Sequence, residues 1–226
     1  MARIENHKYS IEEAFRECFY IVPDYQREYV WTDKEVHQLL EDIGEQIDAG
    51  TTREYFIGTV LVSPTDQKNH YEVIDGQQRL TTFFLLLCAL KHLFQGEPQR
   101  QMISGLISTS YVDGDGEVRT NLKLEPRYES AGEVMAKLVE LDAEPMAVRA
   151  GIQAAGIASF GSLENLVSAY STLYRYLKDT SLPTRSALCA SAVHALCGFS
   201  APLGRSPGAC THPRPVARWV ASAMRR

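Results

Sequence analysis

The chain has 226 residues, 23% of them charged, and a formal net charge of −5. That is enough length for one large or two small domains with a real core. An acidic balance excludes a general nucleic-acid-coating protein, although it leaves room for a local basic groove. The longest apolar run, Phe83 to Leu90, is far short of the roughly 20 residues that span a bilayer. Met1 to Lys8 contain no apolar stretch of the secretory kind, so a cytoplasmic protein is expected.

In chain order, Ile11 to Phe19 reads as a short helix and Tyr20 to Pro23 as an extended segment. Thr32 and Glu35 have the spacing of a capping box. They precede Val36, Leu39, Leu40, Ile43 and Ile47 on one helical face, with Gly50 as a stop. Tyr55 to Val62 is β-rich, Ser63 to His70 a polar turn, and Tyr71 to Ile74 a second strand. The helix predicted over Leu80 to Leu93 is apolar nearly all round, which suits a central buried position. Gln95-Gly96-Glu97-Pro98 ends it. Farther on, Asp113 to Gly116 is a turn, Arg119 to Leu124 a strand, and Glu129 to Leu141 and Leu163 to Asp179 are helices. The last helix carries Leu163, Leu166, Val167, Tyr170, Leu173, Tyr174 and Leu177 as one core-facing stripe. The Asp113 turn lacks the late glutamate of a calcium loop and reads as a plain turn.

The composition changes abruptly near residue 180. Up to Asp179 there are 17 Lys and Arg against 28 acids, −11; from Thr180 there are six Arg and no acid, +6, which together give −5. Half of the ten prolines lie in this tail. It is expected to be irregular. A basic arm and a linker are two readings of it; translation out of frame from about Leu182 is the favoured one, making the chain the front piece of a longer protein. Of the five cysteines, Cys18 and Cys88 read as buried thiols. Cys189, Cys197 and Cys210, even with His194 and His212, lack the spacing of zinc ligands. His37, His70 and His92 have no context that suggests a triad.

Two segments carry chemistry. Asp75-Gly76-Gln77-Gln78-Arg79 sits where a strand passes straight into an apolar helix. There Gly76 permits close backbone approach, the helix-start amides attract an anion, and Arg79 can grip a phosphate with its planar fork. Gln77 and Gln78 could orient a phosphate or an attacking water, and Asp75 could hold Mg²⁺ or orient Arg79. The other segment, Ile21 to Trp31, brings Gln26 and Arg27 after a proline-fixed turn. Arg27 is a second phosphate or DNA-backbone candidate, and Tyr25 and Trp31 could stack on a base. Thr81 and Thr82 are plausible hydroxyl ligands. Each of these has a bland counterpart: a salt bridge from Arg79 to Asp24 or Glu28, helix-start polarity for the glutamines, an N-cap for Asp75, core packing for the aromatics.

Taken in order, with Tyr55-Phe56-Ile57-Gly58 between them, these segments resemble the N-terminal domain of GmrSD-type modification-dependent restriction endonucleases, in the ParB/sulfiredoxin-like superfamily. The resemblance is good over about residues 8 to 95 and loose over 119 to 178. It implies an α+β fold: a small mixed sheet with packed helices over residues 1–100, a mainly helical and incomplete extension over 101–179, and then the tail, 180–226. It also implies binding and hydrolysis of a nucleoside triphosphate with Mg²⁺, in defence against phage DNA carrying modifications. The site residues would be Asp75, Gln77, Gln78 and Arg79 for catalysis, Gly76, Gln26, Arg27, Tyr25 and Thr81 for the nucleotide, and Asp75 for the metal. Modified phage DNA and a nuclease partner or second copy are the implied partners, and no membrane is. No HNH-type nuclease motif is legible after residue 178. A nucleotide-switched DNA-binding module of the ParB type and a non-functional fragment are the alternative readings.

Overall fold

The computed structural model describes residues 4–48, 56–157, 161–194 and 196–202. The elements run β1 (Ile4–Ser10), α1 (Ile11–Glu17), β2 (Phe19–Val22), α2 (Asp33–Asp48), β3 (Phe56–Pro64), β4 (His70–Asp75) and α3 (Gln77–Leu93). They continue with α4 (Pro98–Ile107), β5 (Ser108–Val112), β6 (Val118–Leu122), β7 (Leu124–Pro126), α5 (Ala131–Leu141), α6 (Pro145–Ala154), α7 (Ser162–Asp179), α8 (Leu182–His194) and β8 (Leu196–Pro202). The architecture is α+β, as expected. A mixed six-stranded sheet, ordered β1-β8-β3-β4-β2-β7, is joined by a separate β5–β6 hairpin.

Helix α3 is the centre of the core. Its residues from Leu80 to Leu90 are all buried, as its lack of a polar face requires. Around it, Phe15 of α1, Leu40 of α2, Ile103 of α4 and Leu138 of α5 join the same apolar cluster. The predicted stripe on α7, from Leu163 to Leu177, is buried at every one of its seven positions.

Local chemistry explains the element starts. Ser10 and Glu13 form a complete capping box at α1. Ahead of α2, Glu35 accepts from both the amide and the hydroxyl of Thr32, at 2.8 and 2.7 Å. Those bonds, the hydroxyl first, hold the Glu35 carboxyl below its ordinary pKa. Asp113 accepts from the amides of Asp115 and Glu117 and from Arg119. The arginine is the main reason that its carboxyl also lies low, and the segment is the plain turn that was expected.

The division at residue 100 does not correspond to a break in packing. Strand β7 pairs in parallel with β2, and β8 lies between β1, its antiparallel neighbour, and β3, its parallel one. A strand's two rows of amides and carbonyls need partners, and here the partners come from beyond position 100. Likewise, the segment expected to be irregular begins with a helix and a strand. In α8, Leu188, Cys189, Ala192 and Val193 are buried against the core, and burial pushes the Cys189 thiol up to about 12. Arg185 donates to the Leu177 and Thr180 carbonyls, so it caps the end of α7 as a cation should. Cys210 and His212 lie outside the described residues. No helix among the described residues is long and apolar enough to cross a membrane.

Candidate functional site

The strand-to-helix junction folds as a tight step from β4 into α3. Gly76 takes φ +86° and is itself the N-cap, without a side-chain cap. A Cβ there would stand 2.9 Å from the Thr59 carbonyl oxygen and 3.1 Å from the Val60 Cα. Glycine is therefore required twice over, by the left-handed backbone and by contact with β3. Asp75 is not the N-cap; its Oδ1 accepts from the adjacent Gly76 amide at 2.8 Å, and its side chain is exposed.

The first turn of α3 contains no acid. Leu80 is the first residue whose amide bonds back, to the Gly76 carbonyl. The amides of Gln77, Gln78 and Arg79 are left among the unpaired donors of a helix start, a place where anions are stabilised. Arg79 is exposed, and no carboxylate among the described residues pairs with it, neither Asp24 nor Glu28. Its guanidinium lies instead over Gly58 of β3.

The two glutamines point the other way, into the loop before α2. Gln78 accepts from the Val30 amide and donates to the Glu28 carbonyl, both at 2.9 Å. Gln77 is buried and donates to the Arg27 carbonyl, while its Oε1 is buried with no partner. The pair thus staples the two motifs together, so the polar run at this junction serves folding as well as any ligand. Thr82 donates to the Gln78 carbonyl at 2.8 Å. With its single proton committed, it accepts from the buried Tyr29 hydroxyl, also at 2.8 Å. Burial raises the Tyr29 phenol pKa well above the ordinary tyrosine value. From α7, Asn165 donates to the Tyr29 carbonyl at 3.2 Å, and Thr172 donates to Asp33 at 2.7 Å. This third anchor on the loop was not legible in the sequence, because α7 is more than a hundred residues away.

Several expected ligands are placed differently. Thr81 is only 3% exposed, and Thr82 is fully buried; both face inward because α3 is enclosed on all sides. Trp31 is half-buried against the core. Gln26 is half-buried in a turn closed by its amide on the Pro23 carbonyl, and Arg27 is exposed.

Tyr25 is 68% exposed and lines a separate groove. That groove, of about 510 Å³, is bounded by Asp24, Glu72, Glu125, Arg127, Glu129 and Glu133 among others, and by no residue from 75 to 79. The Tyr25 phenol is raised by partial desolvation and then by Glu72. Among the described residues no group of three His, Cys, Asp or Glu side chains could hold a metal ion. His70 stacks on Phe19, and His92 hydrogen-bonds the Asp142 carbonyl, so both are accounted for structurally.

The fold and junction together define an α+β domain in which a buried helix starts at a solvent-facing arginine and is stapled to a preceding loop. The family of the GmrSD restriction endonuclease N-terminal domain matches residues 7–195, and the chain belongs to that family. It is accordingly part of a restriction system, a defence against phage. The match runs through α8, past the change in composition at residue 180. No curated protein matches the chain.

Proposed function

We propose that the domain binds a nucleoside triphosphate at the start of α3 and hydrolyses it, as the energy-using part of a modification-dependent restriction system of ParB-like ancestry. The observation that carries this reading is Arg79, exposed and without a carboxylate partner among the described residues, on the same turn as three amides that no side chain caps. A guanidinium and a helix start both favour a polyanion, and among the described residues no carboxylate pairs with the guanidinium.

In this reading the guanidinium and the amides of residues 77–79 take the phosphates, and Arg27 supplies a second cation from the facing loop. Mg²⁺ fits this site through Asp75, whose second oxygen has no protein partner among the described residues; one carboxylate suffices when phosphates supply the other ligands. Bound there, the ion would neutralise phosphate charge as water attacks. Both polar atoms of the Gln78 side chain are already engaged, and the Gln77 amide is buried and turned to the Arg27 carbonyl, so either glutamine would have to leave the loop to orient water. Modified phage DNA is the proposed target of the system, and a nuclease its proposed partner.

The test is phosphate release from the purified protein with each triphosphate and Mg²⁺, set beside equilibrium nucleotide binding. Arg79→Ala removes charge-assisted bonds worth about 1.5–3 kcal/mol, which predicts binding weaker by about 10- to 100-fold. Absence of both binding and release in the wild-type protein overturns the proposal.

A further inference from the structure

We propose that Gly58 of β3 is the positioning residue for Arg79, a flat shelf that holds its guanidinium ready for the phosphates. This rests on the reading that Arg79 grips a nucleotide. A Cβ built on Gly58 would lie 2.6 Å from Nη1, 3.2 Å from Cζ and 3.7 Å from Nε of Arg79. Three atoms of one guanidinium thus crowd a single point that any other residue would fill. The glycine also has φ +104°, a backbone that L side chains rarely adopt.

The neighbouring geometry serves the same end. The β3 ladder is irregular on both sides of this stretch, with register shifts between Phe56 and Thr59 against β8 and between Leu61 and Val62 against β4. Such irregularities re-aim a strand locally. Here the segment 58–60 passes under the start of α3, with Thr59 and Val60 against Gly76 and Gly58 against Arg79. Contact with the shelf restricts a long, flexible side chain before any ligand arrives, and less rotamer freedom is then lost on binding. A lysine at position 79 would have the charge but no plane to lay on the glycine.

Substitution at Gly58 displaces the far end of a flexible side chain and, at φ +104°, also strains the β3 backbone, so Tm is measured beside binding for each variant. The experiment is a double-mutant cycle on the full chain: wild type, Gly58→Ala, Arg79→Ala and the double variant. Binding of fluorescent methylanthraniloyl ATP and GTP is measured with Mg²⁺, with tripolyphosphate as competitor. Gly58→Ala is expected to weaken binding about tenfold, and the double variant to bind no more weakly than Arg79→Ala alone, because the shelf has no role without the arginine. Losses that multiply in the double variant, or wild-type binding by Gly58→Ala, overturn the inference. Should Arg79→Ala bind as wild type does, the reading beneath it fails instead. Arg79→Lys keeps the inference testable if Gly58→Ala does not fold: it is expected to lose at least tenfold, and wild-type affinity in that variant refutes the shelf.

Discussion

Replacing Gln78 by alanine separates a structural role for this residue from a catalytic one. The substitution removes an acceptor 2.9 Å from the Val30 amide and a donor 2.9 Å from the Glu28 carbonyl. A hydrogen bond contributes about 0.5–1.5 kcal/mol net, and rather more when its former partner is left unpaired away from water. Both partners here are part-buried, so the loss is about 2–3 kcal/mol, or roughly 4–12 °C in Tm for a chain of this size. Urea unfolding with an unchanged slope gives the free energy directly. Gln78→Glu sharpens the test. It keeps an oxygen for Val30 but sets a carboxylate against the Glu28 carbonyl, so it should be as destabilising as alanine at pH 7. Protonating the new carboxyl in mild acid restores a donor, and part of the difference should then return. A change of under about 0.5 kcal/mol for Gln78→Ala, with turnover abolished, would refute the staple and return Gln78 to the reaction.

Gly76→Ala should be far more harmful: about 1–3 kcal/mol of backbone strain adds to a 2.9 Å approach to the Thr59 oxygen, and soluble yield together with Tm reads the effect. Tyr29→Phe deletes only the bond to Thr82 in a buried site and should lower stability by about 1–1.5 kcal/mol in urea unfolding. Gly105→Ala, at an exposed position inside α4 with open space around its Cβ, should raise stability by about 0.5–1 kcal/mol. Glu35 has a lowered folded pKa, so its contribution is present above the unfolded carboxylate pKa of about 4.3 and is lost as pH falls through the folded value. Thr32→Ala removes the hydroxyl bond, the first of the causes that lower it, and leaves the amide bond in place; the Tm gap to wild type should narrow between pH 7 and pH 3.

Whereas the α+β class followed from the family resemblance of the two motifs, the buried α3 and the stripe on α7 were legible because each rests on periodicity within one segment. Thr32 and Glu35 were legible as a pair for the same local reason. Pro98 was read only as the end of α3, yet proline at a first helical position also opens α4, and Pro145 does the same for α6. Strand β7 is three residues long and β8 contains glycine and proline; both exist through pairing with distant strands, which no local pattern records. At the candidate site the sequence located the junction and its arginine. It did not reveal that Gln77 and Gln78 face the preceding loop, since the same polar run suits a ligand or a backbone equally well. The Gly58–Arg79 contact was hidden for a similar reason: a glycine's role is defined by what approaches it.

The place of β8 makes assembly of the sheet dependent on synthesis of the chain's last described strand. Among the described residues β1 pairs only with β8, so this strand waits for its described neighbour until about 190 further residues have been made. At typical elongation rates that wait is roughly 10–40 s. During it the nascent protein exposes one lone ribbon and an open flank on β3, the kind of surface that chaperones recognise and that other chains can invade.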